Sequence, residues 1–375
     1  MKIVIAPNEF KGSLSALKVA VHIQRGIQRV LSTAQCELYP VADGGDGTLD
    51  VIMHNLGGEV YWIPVLNPLG ILIQARLGII GQTAIIEMAE ASGLRLLTPD
   101  QLNPMRTTTY GTGQLILAAL DHGCKRIIIG LGGSATVDGG LGMAQALGVK
   151  LLDDQGNQIP YGGQGLLKIK IIDMSLCDPR LKEVSIQVAC DVTNPLLGEA
   201  GAARVFAPQK GATPEMVKML EYGFLHFADL VEQELGKAIG SKPFGGAAGG
   251  LAAGLFAFLG ADLISGADLI LDIIDLEDHI KDADLIITGE GRIDNQTQYG
   301  KAPLGVLRLG QKHGIPVVAL TGSVSGSHEF DAIMPIVDSP QSLDEAIKNA
   351  PQLIEHAAER MMRFIQLGRT LTPIS

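Results

Sequence analysis

No C-x-x-C pair occurs in this chain. Its four cysteines, Cys36, Cys124, Cys177 and Cys190, are scattered, and its eight histidines form neither H-E-x-x-H nor another clustered ligand pattern. The expectation is a reduced, cytoplasmic protein without structural zinc. Basic residues are also scarce: 29 Lys and Arg stand against 40 Asp and Glu, a net charge of −11. That balance argues against nucleic acid or an anionic membrane as the main partner and leaves a small molecule held in local basic pockets, with room for a homo-oligomer. The first apolar run, in MKIVIAPNEF, is too short for a signal peptide. The uncharged stretch from Pro243 to Ala261 has two overlapping G-x-x-x-G spacings, but six of its residues are glycine and no Trp or Tyr flanks it. We read it as a buried helix behind a glycine-rich loop.

The common nucleotide and nucleophile signatures are missing too. No G-x-x-x-x-G-K-[ST] loop is found, and Ser134 is not a G-x-S-x-G nucleophile because Thr136 stands where the second glycine belongs. What the chain does have is length and glycine: 375 residues, 47 of them Gly, with 46% hydrophobic residues. This suits an α/β enzyme with many strand-to-helix loops.

The most informative stretch is 126–143, RIIIGLGGSATVDGGLGM. A β-branched run ends in a glycine loop whose polar side chains are Ser134, Thr136 and Asp138, followed by a helical pattern. Glycines let backbone N–H groups approach an anion, and the following helix offers its N-terminal donors, so Gly132, Gly133 and Ser134 could hold a phosphate. A tight turn in an α/β protein would look the same. Gly130, Gly132 and Ala135 also satisfy a relaxed G-x-G-x-x-A dinucleotide fingerprint, with Asp153 as the ribose-binding acid, which keeps a nicotinamide-dependent oxidoreductase open as a rival. A non-catalytic ligand-binding protein is a third class.

Along the chain, KIVIA predicts a buried strand and Leu14, Leu17, Val21, Ile27 and Leu31 a helix after it, with Ser13 as its cap. Lys11 lies in the loop between, at a strand's C-terminal end, where open α/β sheets bind ligands. The next βα loop, ADGGDGT, sets Asp43 and Asp46 around two glycines; such carboxylates suit a cation or sugar-like hydroxyls, and equally an Asx turn. From Glu59 to Met88 three apolar β segments joined by short turns predict antiparallel pairing. A helix from about Gly113 to His122 follows. The strand VSIQVAC delivers Asp191, a candidate base or a turn former before Pro195, and Lys210 lies in the long segment beyond it. After Ala267 the βα rhythm returns, beginning with LILDII. Its loop ITGEGRIDNQTQYGKAP brings Glu290, Arg292, Asp294 and Lys301 together, a set suited to metal plus phosphate and also to a salt-bridged loop. The predicted fold is α/β in two domains: a doubly wound, Rossmann-like domain from residues 1–57 plus 267–375, with a mixed α/β domain, 58–266, inserted.

Seven blocks in order, APNEFKGSLSA, VADGGDGT, NPMRTTTYGTG, LGGSATVDGG, ACDVTNPL with VFAPQKGA, GGAAGGLAAGL and DLIITGEGRID, closely resemble the bacterial glycerate kinase family that includes the glycerate 2-kinases. The resemblance covers nearly the whole chain. It implies ATP- and Mg2+-dependent phosphorylation of D-glycerate, most often to 2-phosphoglycerate, with the 3-phosphate as the alternative. Two departures are visible: Asn8 and Glu9 where the family usually reads Asp-Ser, and Val137 where Asn is common. Phosphoryl transfer needs phosphates held by backbone donors, charge neutralised by cations and a base near the substrate hydroxyl. On that chemistry Gly132, Gly133 and Ser134 are assigned to phosphate and Glu290 and Asp294 to magnesium. Lys11, Lys210 and Arg292 are the cations, Asp191 the base, and Asp43 and Asp46 the groups orienting the glycerate hydroxyls.

Overall fold

The computed structural model describes residues 1–293, 301–326 and 329–371. In chain order its strands are β1 Lys2–Ile5, β2 Gln35–Leu38, β3 Glu59–Leu66, β4 Leu72–Ile80, β5 Thr83–Glu87, β6 Arg126–Gly130, β7 Lys150–Leu152, β8 Ile171–Asp173, β9 Ser185–Cys190, β10 Asp262–Ser265, β11 Leu285–Ile293, β12 Val317–Val324 and β13 Ala332–Pro335. Two compact units are present. The first comprises Met1–Asp43, Asp50–Asn55 and Ala267–Ser375; the second comprises Gly44–Leu49 and Leu56–Gly266.

The first unit is a five-stranded, all-parallel sheet in the order β13-β12-β11-β1-β2. Its central strands carry the apolar runs KIVI, LII and VVAL, as burial on both faces requires, and β11 and β12 turn polar towards their C-terminal ends. From β1 the chain crosses by the helix Ala16–Val30 to β2 on one side, and from β11 by the helix Ala302–His313 to β12 on the other. The strand order therefore reverses between β1 and β11, the position at which open α/β sheets bind ligands at their C-terminal ends. Helix Ala16–Val30 buries Ala16, Val19, Ala20, Ile23, Gly26 and Ile27, one face at helical spacing. Its N-cap is Ser15, not Ser13: the Ser13 hydroxyl instead donates to Ile347 O at 3.0 Å. The LILDII run is helical up to Ile273, the last residue of the helix Gly266–Ile273, and Ile274 follows in a turn.

Gly26 lets this helix lie directly on the C-terminal helix Leu343–Leu371. A Cβ there would stand 2.3 Å from Glu355 O and 2.7 Å from Ala358 Cβ. Neither backbone can yield, so Gly26→Ala is expected to cost about 1–3 kcal/mol by overpacking. Thermal unfolding followed by circular dichroism checks this; an unchanged Tm would contradict the close approach.

The second unit holds a six-stranded sheet, β10-β9-β6-β5-β4-β3, and the small antiparallel pair β7-β8. β3, β4 and β5 pair antiparallel, as their short turns predict, whereas β5, β6, β9 and β10 run parallel. The C-terminal ends of β5, β6 and β9 thus share one edge, bringing Glu87, the 131–140 loop and Asp191 to it. The uncharged 243–261 stretch folds as turns leading into the buried helix Leu251–Leu259. Among the described residues no helix is long and apolar enough to cross a membrane. Gly254 packs on the 131–140 loop, since a Cβ there would meet Gly139 O at 2.3 Å. The helix expected from about Gly113 begins three residues earlier and spans Tyr110–Asp121.

Candidate active site

In the second unit the loop after β6 is pinned backbone to backbone. Gly132 N–H donates to Gly44 O at 2.9 Å, Leu131 N–H to Ala189 O at 3.3 Å, and Ala135 N–H to Ser92 O at 2.9 Å. Gly132 lies so close to Gly45 that a Cβ would stand 2.2 Å from Gly45 Cα. The predicted three-residue cradle is therefore narrower than the sequence suggested. The Gly132 amide is already engaged, while among the described residues no protein acceptor meets the amides of Gly133 and Ser134. The Asp46 carboxylate stands beside Gly133: a Cβ on that glycine, which has φ +71°, would lie 2.7 Å from Asp46 Oδ1. A carboxylate in that position accepts protons from hydroxyls readily and repels a bare phosphate unless a cation lies between them.

Asp138 corrects a second expectation. Its fully buried carboxylate accepts from Thr109 N at 2.8 Å, Thr109 Oγ1 at 2.9 Å, Gly140 N at 3.1 Å and Gly142 N at 3.2 Å. Burial pushes its pKa up and these four bonds oppose the shift. The donors at the start of the helix Leu141–Ala146 are thus consumed within the protein, not offered to a phosphate. That helix has six residues and begins well after β6 ends at Gly130. A dinucleotide fingerprint needs a helix opening directly from the glycine turn, so the oxidoreductase reading loses its structural basis. Asp153 instead accepts from Gln155 N at 3.0 Å and Asn157 N at 2.8 Å, an ordinary Asx turn.

Lys210 lies in the turn Pro208–Lys210 and is 2% exposed. The sequence offered it as a cation for direct substrate contact. In the structure its Nζ donates to Ser134 Oγ at 2.5 Å and to Thr136 O at 2.8 Å, so it carries charge to the loop from behind. Burial lowers its pKa to about 7, opposed by the charges of Asp138 and Asp191. Asp191 itself is exposed at the end of β9. Among the described residues the buried Thr136 hydroxyl has no hydrogen-bond partner.

In the first unit the C-terminal edge between β1 and β11 carries a second polar group. Asn8 is 6% exposed; its backbone N–H donates to Gly289 O at 2.8 Å and its Nδ2 to Asp43 Oδ2 at 3.3 Å. An aspartate at this position could make that donation only when protonated, so Asn8 keeps the Asp43 carboxylate bonded across neutral pH. Lys11 is exposed in the same loop, and Gly291 of β11 packs near its backbone, a Cβ there standing 3.5 Å from Lys11 N. Arg292 is exposed on β11. Glu290 is 6% exposed and pairs with Lys301 Nζ at 3.3 Å, so a cation already stands beside the proposed metal carboxylate. Asp294 lies outside the described residues. Among the described residues no three His, Cys, Asp or Glu side chains converge as a metal cluster. Asp43 and Asp46, three residues apart in sequence, belong to different units.

Sequence reading missed Glu87 and Arg95. Glu87 is the lone acid closing an apolar strand, TAIIE, a signal that could have marked it. Arg95 pairs with Glu90 and lies on the segment whose Leu94 N–H bonds Gly133 O, which no sequence pattern shows.

A profile of the glycerate kinase family matches residues 3–366. The chain is 50% identical to a glycerate kinase of Halalkalibacterium halodurans, over 96% of this chain and 97% of the relative. It is 46% identical to the glycerate 2-kinase of Escherichia coli K12, over 98% and 99%. A crystal structure of the Salmonella typhimurium LT2 protein assigned as glycerate kinase 2 superposes with a TM-score of 0.88 at 45% identity, covering 99% of both chains. The chain belongs to the glycerate kinase family.

Proposed function

We propose that the protein transfers the γ-phosphoryl group of ATP to D-glycerate, forming 2-phosphoglycerate and ADP. The observation that carries this reading, beside the family, is the buried Lys210 ammonium bonded to the underside of a glycine loop that keeps two amides for an anion. Phosphoryl transfer is mostly positioning and charge stabilisation, and fixed donors in a desolvated site are the most effective form of both. The glycerate C2 oxygen forms a bond to the γ-phosphorus as the bond to the β,γ-bridging oxygen breaks, and ADP leaves with that electron pair. The hydroxyl proton passes to Asp191, exposed at the end of β9, and Asp46 accepts a hydrogen bond from the neighbouring hydroxyl. Lys11 and Arg292 are offered to the carboxylate and phosphates, and Asp43, held by Asn8, to a hydroxyl.

Magnesium fits this chemistry. Glu290 is a hard oxygen donor, and Mg2+ is commonly held by one or two carboxylates together with substrate phosphates. When bound it would neutralise phosphate charge; Glu290 would hold it in competition with Lys301, and Asp294 is the second donor assigned from sequence. The partners are small molecules and the compartment the cytoplasm.

Incubation with D-glycerate, ATP and Mg2+ should release ADP, and phosphorus NMR of the product should show the 2-phosphate; a 3-phosphate signal would reassign the acceptor oxygen, and no ADP would reject the reading. Asp191→Asn should lower kcat about a hundredfold if Asp191 is the base. A change within about threefold would place the base elsewhere.

A further inference from the structure

Glu87 has no role in the scheme above, yet its side chain is fully buried at the C-terminal end of β5, paired in register with Gly130 immediately before the glycine loop. Its Oε2 accepts from Leu49 N–H at 3.2 Å, at the end of the ADGGDGT loop. Among the described residues its Oε1 has no hydrogen-bond partner and is met only by the ion pair with Arg95 Nη2 at 3.4 Å. A fully buried carboxyl with one oxygen not hydrogen-bonded, its ion-pair partner Arg95 being 43% exposed, is costly, and a purely structural position would be served better by an apolar residue. What the carboxyl provides is a tie between two loops: the 44–49 segment it holds at Leu49 is the one that places Gly44 against Gly132 and Asp46 against Gly133.

We propose that Glu87 is a positioning residue that ties the 44–49 loop to the base of the 131–136 loop and so sets where the Asp46 carboxylate meets the substrate. This rests on the phosphoryl-transfer reading of that loop pair. The charged groups facing Glu87 are Arg95 and Glu90 from the following turns and Asp46 from the tied loop; Arg76 reaches it through Glu90. Burial raises the Glu87 pKa to about 7, with Arg95 and the Leu49 N–H opposing the shift and Glu90 and Asp46 adding to it. Its ionisation above neutrality therefore adds a negative charge beneath an anion-binding loop.

Two variants test the tie. Glu87→Ala removes the acceptor and should lower kcat/KM about 30- to 100-fold, the scale expected when a reacting group is displaced by about 1 Å. Glu87→Gln keeps an acceptor for Leu49 N–H and should restore kcat/KM to within about threefold at pH 6.5. Because the amide stays neutral while the wild-type carboxyl ionises, the ratio of Glu87→Gln to wild-type kcat/KM should rise between pH 6 and 8; taking a ratio cancels titrations common to both enzymes. Amide hydrogen exchange over residues 44–49 should quicken in Glu87→Ala and return to the wild-type rate in Glu87→Gln. Unchanged kinetics and exchange in Glu87→Ala overturn the proposal, as does Glu87→Gln failing alongside Glu87→Ala. Should wild type release no ADP with glycerate, the function reading fails while the exchange result still decides the tie.

Discussion

Lys210→Met is expected to lower kcat/KM for glycerate phosphorylation by about 10²- to 10³-fold, the range seen when one preorganised donor is removed from a site that stabilises developing negative charge. Methionine follows the path of the lysine stem, so packing is largely kept. What is lost is the ammonium bonded to Ser134 Oγ and Thr136 O. Steady-state kinetics at pH 6.5, with folding confirmed by circular dichroism, checks the loss; a change below about fivefold would reduce Lys210 to a packing element. The same residue sets a pH signature. With its free-enzyme pKa at about 7, wild-type kcat/KM should fall as pH rises through that value, and the fall should be smaller in Lys210→Met, which keeps only the contribution of Glu87. Stability moves the opposite way. The folded pKa lies below the ordinary 10.5, so between about 7 and 10.5 the unfolded chain binds more protons and stability rises with pH. The titration that weakens the site therefore relieves the fold, which is expected when a charge is buried for function.

Asp138→Ala should be the most destabilising single substitution at the site, by about 3–5 kcal/mol. Truncation orphans the buried donors of Thr109, Gly140 and Gly142 at once. Each such donor costs roughly 1–3 kcal/mol, but their sum is too large an estimate because removing the carboxylate also ends its own burial penalty. Asp138→Asn, which keeps one carbonyl acceptor, should recover part of the loss. Urea unfolding measures both through the midpoint at constant slope; a midpoint for Asp138→Ala within error of wild type would show that the four bonds contribute nothing net.

Much of the fold was legible in sequence because it depends on patterns that short segments carry by themselves. KIVI, RIIIG and VVAL are strands because apolar β-branched runs bounded by turn residues have few other solutions, and their alternation with helical spacing yields parallel sheets. The 59–87 meander was legible because its connections are too short for a crossover. The cap of the first helix was not, since Ser13 and Ser15 are chemically alike and a contact with Ile347, more than three hundred residues away, decides between them. Within the site, the glycine loop was recognisable, but its occupancy was not: whether the Gly132 amide faces a phosphate or the Gly44 carbonyl depends on a loop that arrives from elsewhere in the chain.

By itself the sequence determined the α/β class, the family through seven ordered blocks, and the loops in which the polar chemistry is concentrated, because each of these is a local pattern or a sum of local patterns. Only the tertiary structure decided what the polar groups do. It turned Asp138 from a loop acid into the internal cap of the helix Leu141–Ala146, and moved Lys210 from the substrate side of the loop to its buried underside. It also raised Glu87 from the last residue of a strand to the tie beneath two loops. Burial and hydrogen-bond partners set the charge and reach of each group, and both are properties of the packed chain.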